Sequence, residues 1–218
     1  MTTFPGSPQV VKGGIVLIDP STSVVRRVIV LQYNSDTLNR TLQVQSVGGE
    51  GGDRLEALRL KGPPVETIKL DAEIDASDQL EFPDQNATTI QHGISPILAA
   101  LETIVYPPTA QLVNADSLAA VGTLEIAPVE APLSLFVWSK SRVLPVRITE
   151  FSIAEEAFDV SLNPIRAKVS LGLRVLSTND LPFSHKGASL YLAYQQQKER
   201  LAGMTQGSLS ALGITGIP

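Results

Sequence analysis

Residues 163–175 read NPIRAKVSLGLRV and alternate apolar with polar residues over an unusual length. This period of two predicts a β-strand with one apolar face and one polar face. Eleven alternating residues, 165–175, would extend about 36 Å, roughly twice the usual strand length. Such a reach exceeds what the core of a sandwich needs. The apolar positions are Ile165, Ala167, Val169, Leu171, Leu173 and Val175.

Strand patterns also occur on both sides of this stretch. Residues 65–76 alternate cleanly and place Ile68, Leu70, Ala72 and Ile74 on the buried face. Residues 143–158 change phase, because their apolar residues stand at even positions up to 148 and at odd positions from 151. A slip of one residue reverses the faces of a strand, so a bulge or bend is predicted near residue 150. Further strands are predicted at 14–19, 24–34, 35–47, 123–127 and 133–140.

Two helices are predicted. The first covers 96–106, with Ser95 as N-cap and Pro96 at the first helical position. Its Leu98, Leu101 and Val105 would face a sheet. The second covers 187–203 with Gly203 at its C-cap, whereas 107–122 is predicted to be a loop and 204–218 a tail that orders against another protein.

Composition and charge narrow the class of protein. The chain has 218 residues, of which 43% are hydrophobic and 18% charged, which is typical of a globular protein with a sizeable core. Strands outnumber helices, so we predict a mainly β, α+β fold, an antiparallel sandwich or barrel with appended helices. A net charge of −5 offers no bulk attraction to nucleic acid or anionic membranes, and neither a signal peptide nor a membrane span is predicted. The absence of cysteine excludes disulfides and thiol chemistry.

Residues that could support catalysis are few. His92 and His185 have no partner at metal-ligand spacing, and the glycine-rich residues 48–54 lack the Lys-Ser/Thr of a phosphate-binding loop. Asp71, Glu73 and Asp75 share a strand face, but a spacing of about 6–7 Å is too wide for one cation. We therefore predict no enzyme activity, no catalytic residue, no cofactor and no metal site.

Two features of the sequence suggest contacts with other molecules. Arg166, Lys168 and Arg174 share the polar face of the opening strand, with Arg142 and Arg147 expected nearby. They would meet nucleic acid or an acidic partner, or form cross-strand ion pairs with residues 65–76. The single tryptophan, Trp138, is interpreted as a core or interface anchor, with sugar binding as the alternative.

Four stretches, in this order, resemble the tube-protein-like family of contractile injection systems, which are phage-tail-like machines. They are GPPVETIKLDAEIDASD (62–78), GISPILAALETIVYPP (93–108), SLFVWSK (134–140) and the run 145–175. The family features are the acidic end at 75–78, the Leu-rich helix ending in YPP at 98–108, the Trp strand at 136–138 and the N-P-x-R-A-x-V turn at 163–169. The match covers roughly residues 12–178. It is closest to the baseplate member, an adaptor at the start of the inner tube that usually carries a LysM module.

The resemblance implies a fold and a set of partners. The fold is a split β-barrel of two sheets with a packed helix, here at 13–180, preceded by a flexible arm at 1–12. Subunits of the family form stacked hexameric rings that contact the inner tube protein and the spike or baseplate proteins, with no nucleic acid and no membrane insertion. The long strand at 165–175 would then be a wall element that pairs with neighbouring subunits around the ring. Assembly is expected in the cytoplasm of a bacterium or phage-infected cell, as part of a particle.

The C-terminal region departs from the family, because residues 181–218 are too short for a LysM module. We interpret them as a docking segment. The expected assembly interface therefore comprises Arg166, Lys168, Arg174, Trp138, Leu209, Leu212 and Ile214. Two alternatives remain open: a cap or terminator adaptor at the other end of the tube, and, from another class, a small β-barrel ligand-binding module.

Overall fold

A computed structural model describes residues 11–46, 59–120 and 131–217. Its strands are β1 (Gly14–Ile18), β2 (Val25–Val30), β3 (Leu38–Gln43), β4 (Val65–Asp75), β5 (Leu133–Ser139), β6 (Arg142–Phe158) and β7 (Pro164–Val175). Its α-helices are α1 (Ser77–Leu80), α2 (Ala87–His92), α3 (Ser95–Glu102), α4 (Thr109–Ala120) and α5 (Lys186–Ala202). Short 3₁₀ turns occur at Pro83–Gln85 and Leu209–Leu212. The strand predicted at 123–127 lies outside the described residues.

The described strands form one antiparallel sheet in the order β2-β1-β5-β6-β7-β4-β3. The protein is thus mainly β, as predicted, although these strands are hydrogen-bonded into one sheet rather than two. The long strand of the opening motif is β7, which pairs with β6 on one side and with β4 on the other. Both of its edges are therefore used within this chain, and the expected pairing of this strand with neighbouring subunits is wrong. Its apolar positions from Ala167 to Val175 are buried, because both neighbouring strands hold their apolar faces toward the same core.

The predicted irregularity near residue 150 is confirmed. The pairing of β6 with β7 shifts between Ile148 and Glu150, so Thr149 is the extra residue of a bulge. The shift returns Phe151 to the core side that Ile148 occupies, because their partners Leu171 and Leu173 are both buried. Opposite the bulge, the main chain of residue 172 accepts a hydrogen bond from the Thr149 hydroxyl at 3.1 Å.

Helix α3 covers the apolar face of the sheet. Leu98 and Leu101 are buried in the same core as Ile68 and Leu173. Val105 was predicted to share that face, but the helix ends at Glu102 and leaves Val105 exposed.

The start of α3 also differs from the prediction. Ile94 is the N-cap instead of Ser95, which lies inside the first turn, and no side chain caps the helix. The Ile94 N–H donates to the Pro164 carbonyl at 2.9 Å, so docking on β7 fixes where the helix begins. Pro96 suits the first turn because it has no N–H to leave unpaired.

One side chain connects distant parts of the sheet. The Gln32 amide donates to the Asp75 carbonyl at 2.5 Å and accepts from the Asp75 N–H at 2.9 Å. These two bonds imitate a β-bridge between the end of β2 and the end of β4. The sheet is therefore strongly curved, because β2 and β4 are separated by four strands in the sheet order.

The helices show three further differences from the sequence predictions. Residues 107–122 were predicted to be a loop, but α4 occupies Thr109–Ala120. Helices α1 and α2 were not predicted. Helix α5 begins one residue early, with His185 as N-cap accepting from the Gly187 N–H at 3.0 Å, and Gly203 is its C-cap as predicted. Among the described helices, none combines the length and apolarity needed to cross a membrane.

Candidate assembly surfaces

Two basic residues of β7 are engaged by carboxylates of β4. Arg166 Nε lies 2.8 Å from Asp75 Oδ2, and Lys168 Nζ lies 3.5 Å from Asp71 Oδ2. The register explains these pairs, because Asp75 is directly opposite Arg166 and Asp71 is diagonally adjacent to Lys168. The cross-strand interpretation of these residues therefore holds, and their use as an assembly interface stays a prediction.

The carboxylates of these pairs are held in their charged form. Hydrogen bonds from Ser77 lower the pKa of Asp75, and the paired guanidinium lowers it further. The Ser170 hydroxyl, 2.6 Å from Asp71, lowers the pKa of that carboxyl, with a smaller contribution from Lys168. The face formed by β4 and β7 is thus a balanced array of charges at neutral pH and not a basic patch.

Arg174 makes a different contact from the other two basic residues. Its Nη2 lies 2.6 Å from Asp180 Oδ1, and the other oxygen of Asp180 accepts from the Ser177 N–H at 3.0 Å. These bonds order the turn that leads from β7 into α5. The structure therefore gives Arg174 an intrachain role.

Trp138 is a half-buried residue of β5. Its ring stacks on the buried Phe136 with centroids 5.7 Å apart and planes 28° apart. One face of the indole is consequently occupied by the core, as expected for an anchor residue.

The turn between β6 and β7 exposes three large apolar side chains that the sequence analysis did not identify. Phe158 is 47% exposed, Leu162 79% and Val160 fully. The turn that carries them is well ordered, because Asp159 accepts from the main-chain N–H groups of Ser161 and of the residue before Pro164. The sequence signal is an apolar pair between Asp159 and Asn163, two residue types that favour turns.

This turn is anchored to the helical layer. The Asn163 amide donates to the Gln91 carbonyl at 3.3 Å. Gly93, with φ of 57°, brings its main chain so close that an added Cβ would lie 2.2 Å from the Pro164 carbonyl oxygen. Only glycine adopts this conformation and this approach without strain. The exposed apolar turn therefore stands on a rigid support.

Strand β2 is an outer strand of the sheet and exposes valines. Val25, Val28 and Val30 are each more than half exposed, while Ile29 is buried. An outer strand with apolar side chains is a template for pairing with another chain. Arg26 limits this tendency, although its guanidinium is already paired with Asp19.

A polar groove of about 920 Å³ lies between residues 32–37 on one side and residues 71–73 of β4 and 166–168 of β7 on the other. Its lining mixes carboxylates such as Glu73 and Glu156 with the cations Lys12, Arg166 and Lys168. Over the described ranges, no three His, Cys, Asp or Glu side chains are close enough to hold a metal ion. The groove therefore presents charges of both signs to solvent.

A buried ionic cluster fixes α5 to the sheet. Glu66, 3% exposed, accepts from Arg40 of β3 at 2.6 Å and lies 3.5 Å from Lys198 of α5. Arg40 also donates to the Tyr194 hydroxyl at 3.0 Å, and the Lys198 ammonium lies 4.2 Å from the centre of that ring. Burial and the nearby Glu66 raise the pKa of Tyr194, which keeps the phenol neutral.

The segment after α5 is described to residue 217 and presents apolar side chains to solvent. Leu209, Leu212 and Ile214 are all exposed, around a single 3₁₀ turn that Ser208 caps. The structure does not bring these residues together with Trp138 or with the basic residues of β7. Their role in docking therefore stays a prediction.

Neither a known family model nor a curated protein matches the sequence.

Proposed function

We propose that this chain is a structural subunit of a contractile injection system and forms a hexameric ring layer between the inner tube and the baseplate or spike. The observation that carries the proposal is the rigid apolar turn of β6 and β7. Exposed apolar groups in contiguous patches mark surfaces that bind other proteins. Phe158, Val160 and Leu162 are exposed apolar residues close together in sequence at the end of an anchored hairpin.

The curvature of the sheet supports the split-barrel part of the proposal. Along β6, residues 142–146 pair with β5, whereas residues 147–158 lie beside β7 alone among the described strands, and the bulge at Thr149 follows soon after this change of partner. We propose that these parts correspond to the two halves of a split barrel, with α3 packed between them. The Gln32–Asp75 bridge would close the barrel at one end.

A ring also requires surfaces at two different sides of the subunit. The hairpin turn, the valines of β2 and the exposed tail are three separate apolar surfaces. Subunits that join through two different surfaces associate head to tail, and such contacts close into rings when the rotation permits. The same surfaces would serve a cap adaptor at the other end of the tube. The position of the subunit within the particle therefore distinguishes a baseplate adaptor from a cap adaptor.

The proposal is tested by placing a charge in the hairpin turn. Val160→Asp is expected to leave the fold intact, because the side chain is fully exposed, and to prevent copurification with the tube and spike proteins of the same particle. Ser141→Asp is the matched control, since it adds the same charge to the exposed turn between β5 and β6.

Pull-down of tagged full-length chain with coexpressed tube and spike proteins measures this difference. Gold labelling of the tag in intact particles then distinguishes the baseplate end from the cap end. Equal recovery of tube and spike proteins with both variants would refute the role of the hairpin. Recovery of neither protein with the unmodified chain would refute the proposed function.

A further inference from the structure

An apolar recess lies where α3 ends, β5 begins and the chain turns into α5. Its volume is about 370 Å³, enough for on the order of ten water molecules. Val105, Leu133, Ile148, Leu176 and Leu181 contribute apolar walls. Val105 is 46% exposed at the rim, so the recess opens to solvent.

The exposed tail after α5 matches this recess in chemistry. Residues 203–217 contain no ionisable side chain, so burying them removes no charge from water. Other exposed apolar segments carry charges: β2 has Arg26 and Arg27, the β6–β7 hairpin has Glu155 and Glu156, and α4 has Asp116. The lining of the recess is apolar apart from Ser134, Arg147 and His185, and contains no carboxylate.

The recess and the tail lie at opposite ends of α5. His185, the N-cap of that helix, lines the recess, whereas the tail follows the C-cap at Gly203. The 17 residues of α5 separate these ends by about 25 Å. Within the subunit no residue of the tail lines the recess, and Leu209, Leu212 and Ile214 are exposed.

We infer that the recess of one subunit receives the uncharged tail of a second copy of this chain. The inference rests on the proposed ring function and names one of its contacts. A donor at one end of α5 and an acceptor at the other end produce a head-to-tail contact, which repeats from copy to copy and closes into a ring when the rotation between copies permits. Leu212, 74% exposed on the 3₁₀ turn, is the side chain that enters the recess.

Cysteine cross-linking of the purified full-length chain tests this contact, since the chain has no cysteine of its own. Val105→Cys and Leu212→Cys are made as separate variants, mixed, and oxidised. A covalent dimer that contains one copy of each variant is expected. Leu42→Cys on β3, which is similarly exposed and outside the recess, replaces Val105→Cys as the control and is expected to give none.

A second measurement uses charge in place of cysteine. Leu212→Asp is expected to weaken self-association by roughly 10- to 100-fold, the effect of losing one buried leucine, without changing the fold. Ser141→Asp, on the exposed turn between β5 and β6 and outside both the tail and the recess, is the matched control and should associate as the unmodified chain does.

Three results would overturn the inference. The first is the absence of the mixed dimer. The second is unchanged association of Leu212→Asp. The third is a disulfide within single molecules of the double cysteine variant at high dilution, which would show that the tail fills its own recess. These measurements use the chain alone, so a mixed dimer together with failure to bind tube and spike proteins would refute the proposed function and leave this contact standing.

Discussion

Arg40→Ala is expected to destabilise the protein far more than removal of an ordinary surface arginine. Arg40 lies 2.6 Å from Glu66, whose side chain is only 3% exposed. Removing one partner of a buried ion pair costs about 3–5 kcal/mol, because the remaining charge stays desolvated. Lys198, 3.5 Å from the other oxygen of Glu66, compensates in part. We therefore expect a loss of about 3 kcal/mol in the free energy of unfolding.

Arg26→Ala is the matched control. Arg26 also pairs with a carboxylate, but its side chain is 56% exposed. Exposed pairs contribute about 0–1 kcal/mol, since water and salt screen them. Urea unfolding followed by circular dichroism measures both variants. A loss of about 3 kcal/mol lowers the midpoint by about 1–2 M urea for a slope near 2 kcal/mol/M.

A second substitution separates loss of charge pairing from loss of packing. Adding Glu66→Gln to Arg40→Ala removes the uncompensated charge and is expected to restore at least about 1 kcal/mol. The reasoning would be refuted if Arg40→Ala unfolded within about 0.5 kcal/mol of Arg26→Ala. It would also be refuted if Glu66→Gln in that background lowered stability further.

Three more substitutions test the fold. Leu101→Asp should unfold the protein or make it insoluble, with a loss of stability above about 4 kcal/mol, because Leu101 is 1% exposed. Leu112→Asp, on the exposed surface of α4, is the control and should remain folded. The soluble yields of the two variants are compared, and a soluble Leu101→Asp protein would contradict the packing of α3. Gly93→Ala should lower the unfolding free energy by about 2 kcal/mol or more, because φ is 57° and the added Cβ would lie 2.2 Å from a main-chain oxygen. Gly207→Ala is the control, because a Cβ at residue 207 would meet nothing within 4 Å. Equal melting temperatures for the two variants would contradict the structure. Asp75→Asn should reduce stability at pH 7 but not in acid. Because the pKa of Asp75 in the folded state lies below 3.8, its contribution is complete above that pH and is lost as the pH falls through the folded pKa; a stability difference that is unchanged at pH 2 would show that its charge is not responsible.

The strands could be predicted because their signal is local. The alternation of β4 and β7, and the phase change of β6, each follow from the period of apolar residues within one segment. The bulge at Thr149 was located within one residue for the same reason. Cross-strand ion pairing of the basic residues of β7 with residues 65–76 stayed one of several alternatives until the register of β4 and β7 was known, and the individual pairs follow from that register.

The helices were harder to predict, because tertiary contacts set their limits. Ile94 replaces Ser95 as N-cap since its N–H is bound to Pro164, which is 70 positions away along the chain. Helix α4 has exposed Leu112 and Val113 and therefore lacks an amphipathic period. Its helix formers follow Pro108, but this signal is weaker than the loop signal of two adjacent prolines.

The apolar hairpin turn was missed for a different reason. Val160 and Leu162 stand among turn-forming residues, and the sequence does not distinguish an apolar residue that folds inward from one that faces solvent. Exposure depends on the anchoring of the turn by Gly93 and Asn163, which only the three-dimensional arrangement reveals.

The molar mass of the purified full-length chain, alone and with the tube and spike proteins of its particle, tests the central claim most directly. Light scattering should give a mass near six times the 23.3 kDa of one chain, or a multiple of that ring. Negative-stain images of the same sample should show rings. A mass of 23.3 kDa under both conditions, with no ring in the images, would contradict the account.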